Sequence, residues 1–212
     1  MNITGLWDIA QVNTEIGGAL YFMGINLTLI NSTLINNTGF RGAIYITNYA
    51  SDVTQYILIN SSYFKYNRGN FGGAINFCSY LTDFTALVCV NVFVENVARS
   101  KSKLNFIKNL VNLFDLDGAC IGTDYLFPSC KLTISKSYFL SNMAMYGGVI
   151  SFESFNSFFE MNECFCDKNI GVNPYLLIGG GAVIMIKGDS SSLAFTFNNT
   201  FLASIGSLTG HI

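Results

Sequence analysis

Apolar and polar positions alternate along this chain in short runs that end at polar turns. One such element recurs as LTLINST (27 to 33), YILINSS (56 to 62), LTISKS (132 to 137), FFEMNEC (158 to 164) and FTFNNT (195 to 200). Its core is an apolar residue, then Asn or Ser, then any residue, then Ser, Thr or Cys. A second element follows as STLINN, SYFKYN, FVENV, SYFLSN, CFCDKN and TFLAS, where an aromatic residue or Leu usually stands three places before an Asn. A third carries glycine followed by a small residue and an apolar alternation, at Gly18, Gly42, Gly73, Gly118, Gly148, Gly181 and Gly210. Successive intervals are 24, 31, 45, 30, 33 and 29 residues, a period near 30 with one long insertion. Period-2 alternation predicts strands, so each repeat predicts three short strands separated by turns.

Three such strands cannot bury a face alone. Coiled into one turn of a solenoid, they stack on the next turn strand over strand, and the pattern predicts an all-β parallel β-helix of about seven coils. An antiparallel sandwich also has many short strands, but it gives no reason for one order of signals to recur seven times. Parallel stacking sets like residues about 4.8 Å apart. The glycines are then expected at a corner with φ > 0 or a close backbone approach, and corner asparagines can tolerate the left-handed conformation and bond their own kind above and below. Only two prolines, which would remove ladder hydrogen bonds, occur in the chain.

The pairing of FxxN with GGAI lies at Phe64 to Asn67 with Gly72 to Ile75, and at Phe139 to Asn142 with Gly147 to Ile150. Looser copies are Phe93 to Asn96 with Gly118 and Ala119, and Leu34 to Asn37 with Gly42 to Ile44. This pair resembles the repeat of the chlamydial polymorphic outer-membrane proteins and related secreted β-helix proteins. The resemblance implies a right-handed parallel β-helix displayed at a surface, often as an adhesin, and implies nothing catalytic. The chain departs from the bacterial pattern in showing no autotransporter barrel and in joining cysteines to many N-x-S/T sequons, which points to a secreted eukaryotic protein.

Composition narrows the picture further. Half of the 212 residues are apolar and 11% are charged, so burial is extensive and one domain over 1 to 212 is expected. A net charge of -2 gives no electrostatic reason for a nucleic-acid partner. The longest apolar stretch, YLLIGGGAVIMI, is shorter than the roughly 20 residues of a membrane-spanning helix. MNITGLWDIAQ lacks the basic start and apolar run of a signal peptide, so a mature product or a piece of a longer chain is expected. A single histidine and no C-x-x-C pair leave no expectation of a metal or other cofactor.

The six cysteines, Cys78, Cys89, Cys120, Cys130, Cys164 and Cys166, are disulfide candidates, with Cys78 to Cys89 and Cys120 to Cys130 the local pairs. Cys164-Phe165-Cys166 places both sulfurs on one strand face, either bridged to different coils or as two buried thiols. Sequons stand at Asn2, Asn26, Asn31, Asn36, Asn60 and Asn198. Asn31, Asn60 and Asn198 read as one repeat position, carrying either a row of glycans or an internal asparagine ladder. The long interval holds an insertion at 97 to 117, in which Leu104, Ile107, Val111 and Phe114 form an amphipathic helical stripe beside Arg99, Lys101, Lys103 and Lys108. It is expected to cover its own solenoid or to dock a partner.

An enzyme on this scaffold would need clustered carboxylates. Asp115, Asp117 and Asp124 bracket one turn, but Asp is an ordinary turn residue, and no matching acid is expected in a neighbouring coil. His211 has no partner. The expected function is therefore a structural or adhesive extracellular element without catalysis; because neither end carries a polar capping repeat, the ends are expected to be covered by the rest of a longer chain or by another copy, as in a glycosylated subunit of a head-to-tail filament. The alternatives are a polysaccharide lyase or hydrolase and a monomeric surface adhesin.

Overall fold

The computed structural model describes residues 2–4, 18–48, 54–79, 83–98, 121–124, 130–144, 148–153, 157–171, 184–187 and 194–206. In chain order its strands are β1 (Asn2–Thr4) and β2 (Leu20–Met23); then β3 (Asn26–Ile30), β4 (Thr33–Ile35) and β5 (Ile44–Asn48); then β6 (Thr54–Asn60), β7 (Tyr63–Lys65), β8 (Arg68–Gly69) and β9 (Ile75–Ser79). The next coil is β10 (Asp83–Cys89), β11 (Val92–Val94), β12 (Val97–Ala98) and β13 (Ile121–Asp124), followed by β14 (Cys130–Ser135), β15 (Tyr138–Leu140), β16 (Met143–Ala144) and β17 (Ile150–Glu153). The last are β18 (Ser157–Asn162), β19 (Phe165–Gly171), β20 (Ile184–Lys187), β21 (Ala194–Asn198) and β22 (Phe201–Gly206).

These strands form three parallel sheets, as the repeat predicts. The first runs β3-β6-β10-β14-β18-β21 and the third runs β2-β5-β9-β13-β17-β20. The second stacks β1, β4, β7, β11, β15, β19 and β22, and the short strands β8, β12 and β16 join it through β19. Each described strand thus pairs with its counterpart one coil away, which is a parallel β-helix. Val97 and Ala98, assigned to the insertion from sequence, instead form β12 against Arg68 and Gly69, because Asn96 closes its corner before the coil continues. The rest of the insertion, 99 to 117, with its Leu104, Ile107, Val111 and Phe114 stripe, lies outside the described residues.

The core consists of vertical columns of inward positions held in register from coil to coil. In the first sheet Leu29, Ile59, Val88, Ile134, Met161 and Phe197 stand in register. In the second the column is Leu34, Phe64, Phe93, Phe139, Cys166 and Leu202. In the third it is Leu20, Ile44, Ile75, Ile121, Ile150 and Ile184. The Phe of FxxN therefore has a packing cause: Phe64 and Phe93 stack with centroids 4.7 Å apart, and Phe93 and Phe139 4.9 Å apart, all three rings nearly parallel. The coil spacing sets that separation.

The Asn of FxxN forms an internal ladder. Asn37, Asn67, Asn96, Asn142 and Asn169 are fully buried, and each of the first four donates its side-chain Nδ2 to the Oδ1 of the next at 2.9 to 3.1 Å. The backbone N–H of each of these four donates to that same Oδ1. The second Nδ2 proton of Asn67, Asn96, Asn142 and Asn169 goes to the carbonyls of Leu34, Phe64, Phe93 and Phe139. Asn suits this place because it offers an acceptor and two donors on one short stem, so a buried corner keeps its polar groups satisfied.

A second ladder runs along the corner between the first and second sheets through Ser32, Ser62, Asn91, Ser137, Cys164 and Thr200. Here Ser32 N–H donates to Ser62 Oγ, Ser62 N–H to Asn91 Oδ1, and Asn91 N–H to Ser137 Oγ. The residue immediately before each ladder position is left-handed: Asn31, Ser61, Val90, Lys136, Glu163 and Asn199 at this corner, and Asn36, Tyr66, Glu95, Ser141 and Lys168 at the asparagine corner, all with φ between 46° and 57°.

The recurring left-handed corner is therefore not the glycine one expected from sequence. Of the repeat glycines, Gly42 has φ 85°, whereas in the next coil the left-handed residue is Gly72, one place before Gly73. Close approach explains the glycine at Gly18, where a Cβ would collide with the Thr38 carbonyl. At Gly42 both causes act, since a Cβ there would meet the Gly72 carbonyl. Gly148 is buried before β17, and Gly118, Gly181 and Gly210 lie outside the described residues.

Candidate functional site

The described sequon asparagines are peripheral to the ladders. Asn26, Asn31, Asn36 and Asn198 are exposed and Asn60 is half-buried; Asn2 begins β1. Asn31, Asn60 and Asn198 do not share one position. Asn60 pairs with Ile30, and Asn162 with Asn198, so Asn60 and Asn198 close first-sheet strands, whereas Asn31 is the left-handed residue one step later, equivalent to Ser61. The apolar-Asn-x-Ser/Thr pattern reads alike in both frames, but the buried Leu29 and Ile59 set the register. The internal ladder considered for these three forms instead at the FxxN asparagines. The hydroxyls of two sequons serve the corner: Ser62 Oγ donates to the Asn60 carbonyl, and Thr200 Oγ1 contacts the Asn198 and Met161 carbonyls.

Cysteine pairing differs from expectation. Cys89 is a free thiol, half-buried at the end of β10, with its Sγ donating to Asn60 Oδ1 at 3.3 Å. Cys78 is buried on β9 of the third sheet. The ten residues between them lead from a third-sheet strand to the far end of a first-sheet strand, and the Cys78 to Cys89 bridge is not formed. Cys120 lies outside the described residues, and Cys130 opens β14.

Cys164 and Cys166 do face inward, with Phe165 outside, as alternation requires. Both are free and buried, Cys164 in the corner ladder and Cys166 in the column above Phe139. Burial pushes the Cys164 thiol up to about 11, with Glu163 adding to the rise against backbone hydrogen bonds that lower it. Burial also raises Cys166, helped by its neighbour Cys164, and raises Cys89. Desolvated thiols of this kind are poor nucleophiles while the coil is closed.

The acids are only partly placed. Asp115, Asp117 and His211 lie outside the described residues, and Asp124 ends β13. Sequence reasoning missed Glu153, the last residue of β17. β13 and β17 pair at Ile121 with Ile150 and at Gly122 with Ser151, and beyond these Asp124 is in register with Cys78 of β9 and Glu153 with Lys187 of β20. The signal was available in the repeat, since Asp124 and Glu153 each stand three residues after the first Ile of their strand. Among the described residues, no three His, Cys, Asp or Glu side chains come together as a metal site, and no helix is long and apolar enough to cross a membrane.

The most distinctive surface is the last coil. Phe197 continues the column of Met161 and Ile134, and Leu202 the column of Cys166 and Phe139, yet they are 47% and 50% exposed while those beneath are buried. Phe201 beside them is exposed and stacks on Phe165 at 4.8 Å. The asparagine ladder stops here as well: Asp167 pairs with Ala203 and Ile170 with Ile205, so Lys168 and Asn169 face a single residue, Ser204. Among the described residues, β21 and β22 thus present strand edges and core side chains together. No protein family, no characterised protein and no solved structure matches the chain.

Proposed function

We propose that the protein is an extracellular structural or adhesive β-helix that associates end to end through its last coil, as a glycosylated subunit of a head-to-tail filament. One observation carries this reading: Phe197 and Leu202 occupy core columns but lie half exposed on β21 and β22. A core column ending in solvent beside unpaired strand edges is the kind of surface that another strand layer covers. Exposed sequon asparagines along the coils support the glycosylated, secreted part of the reading, and the FxxN and GGAI resemblance supports display at a surface. No catalytic step is assigned.

Sedimentation of the purified chain over a wide concentration range tests it. Association that Phe197→Lys and Leu202→Lys each abolish is the expected outcome, and a monomer at every concentration overturns it. The carbohydrate-active alternative would draw on Asp124 and Glu153, which end the neighbouring strands β13 and β17, since paired carboxylates drive glycoside hydrolysis. Glycan cleavage lost in Asp124→Asn would replace the structural reading. Binding to a surface glycan or protein by a strictly monomeric chain would favour the solitary adhesin.

A further inference from the structure

The thiols of Cys164 and Cys166 lie one coil below the exposed strands β21 and β22. Phe165 pairs with Phe201 and Cys166 with Leu202, Phe201 N–H donates to the Cys164 carbonyl at 2.9 Å, and Thr200 Oγ1 contacts the Met161 carbonyl at 3.1 Å. Among the described residues, the covering strands β21 and β22 each pair with a single neighbour, β18 and β19, and residues 196 to 199, 201 and 202 are exposed. In a linear repeat, an end unit held by one interface opens at lower free energy than the units beneath it. Cys78 makes the contrast: it is also buried, but on β9 between β5 and β13.

We propose that the coil formed by β21 and β22 is a shutter over a dithiol, so that Cys164 and Cys166 form a conditional modification site for small disulfides, reached by opening of these two strands alone. The step is thiol–disulfide exchange. A cysteine releases its proton to solvent, the thiolate sulfur attacks one sulfur of the incoming disulfide, a protein mixed disulfide forms as the original S–S bond breaks, and the departing thiolate leaves with the electron pair. Burial under Leu202 and Thr200 holds this in check while the coil is closed. This site does not depend on end-to-end assembly, and dilute monomer suffices to study it.

The test is time-resolved labelling of the intact chain with dithiobis(nitrobenzoate), each cysteine followed by peptide mass spectrometry. Cys164 and Cys166 are expected to react together and faster than Cys78. Thr200→Val, which removes the coil-to-coil contact at Met161, is expected to accelerate both roughly fivefold, the effect of one net hydrogen bond on an opening equilibrium, with Cys78 unchanged. Leu202→Ala, tested in parallel, is expected to act in the same direction. Cys164 and Cys166 reacting no faster than Cys78, or all three accelerating equally in both variants, would mean that only global unfolding exposes them and would overturn the proposal.

Discussion

Asn96 Oδ1 accepts two hydrogen bonds from the asparagine one coil below, from Asn67 Nδ2 at 3.0 Å and from the Asn67 backbone N–H at 3.1 Å. Asn96 in turn donates to Asn142 Oδ1 and to the Phe64 carbonyl. Removing this one side chain therefore strands donors below it and acceptors beside and above it in a dry corner. Asn96→Ala is expected to cost about 2–4 kcal/mol, because buried unpaired groups pay their full desolvation penalty. Asn31→Ala, at an exposed corner, is expected to cost much less. Urea denaturation of the two variants compares them directly.

The phenylalanine column predicts a graded response. Phe93 lies between Phe64 and Phe139, within 5 Å of both rings. Phe93→Ala is expected to lose about 3–5 kcal/mol, while Phe93→Leu, which reproduces the Leu34 end of the column, is expected to lose far less. Equal losses in thermal unfolding would argue against a packed column.

Val90 has φ 55° and is 51% exposed. A β-branched side chain is strained in the left-handed region, and this one gains little from burial. Val90→Asn, which places there the residue type found at Asn31, Asn36 and Asn199, is expected to stabilise the fold by about 1 kcal/mol. A loss of stability would mean that the corner is held differently.

The buried thiols make stability sensitive to alkali. Burial raises the folded pKa of Cys164 to about 11, above its value in the unfolded chain, so the unfolded state gives up its proton first as pH rises. Stability from this group is intact below about pH 8.5 and is lost between there and about pH 11. Cys164→Ala is expected to flatten that part of the pH–stability curve. An unchanged alkaline slope would contradict the burial of this thiol.

Much of the fold was legible in the residues themselves. The order of apolar, turn and glycine signals carried the parallel stacking, because a solenoid repeats every local constraint once per coil. Three features escaped for physical reasons. Left-handed corners occupied by Val90, Tyr66 and Glu95 follow from the path of the coil and not from residue preference. Asn31 and Asn60 share a sequence pattern but differ by one step, and a one-residue shift turns a strand end into a corner. The partners of the cysteines depend on which sheet each strand joins, and strand spelling does not disclose that. Phe197 and Leu202 were legible as column positions but not as exposed ones, since exposure of a core column is a property of the stack.

Electron microscopy of the native particle tests the end-to-end account most directly. Seven strand layers per subunit in the second sheet, at about 4.8 Å each, predict unbranched fibres with an axial repeat near 34 Å. Isolated rods of single-subunit length at high protein concentration would contradict it.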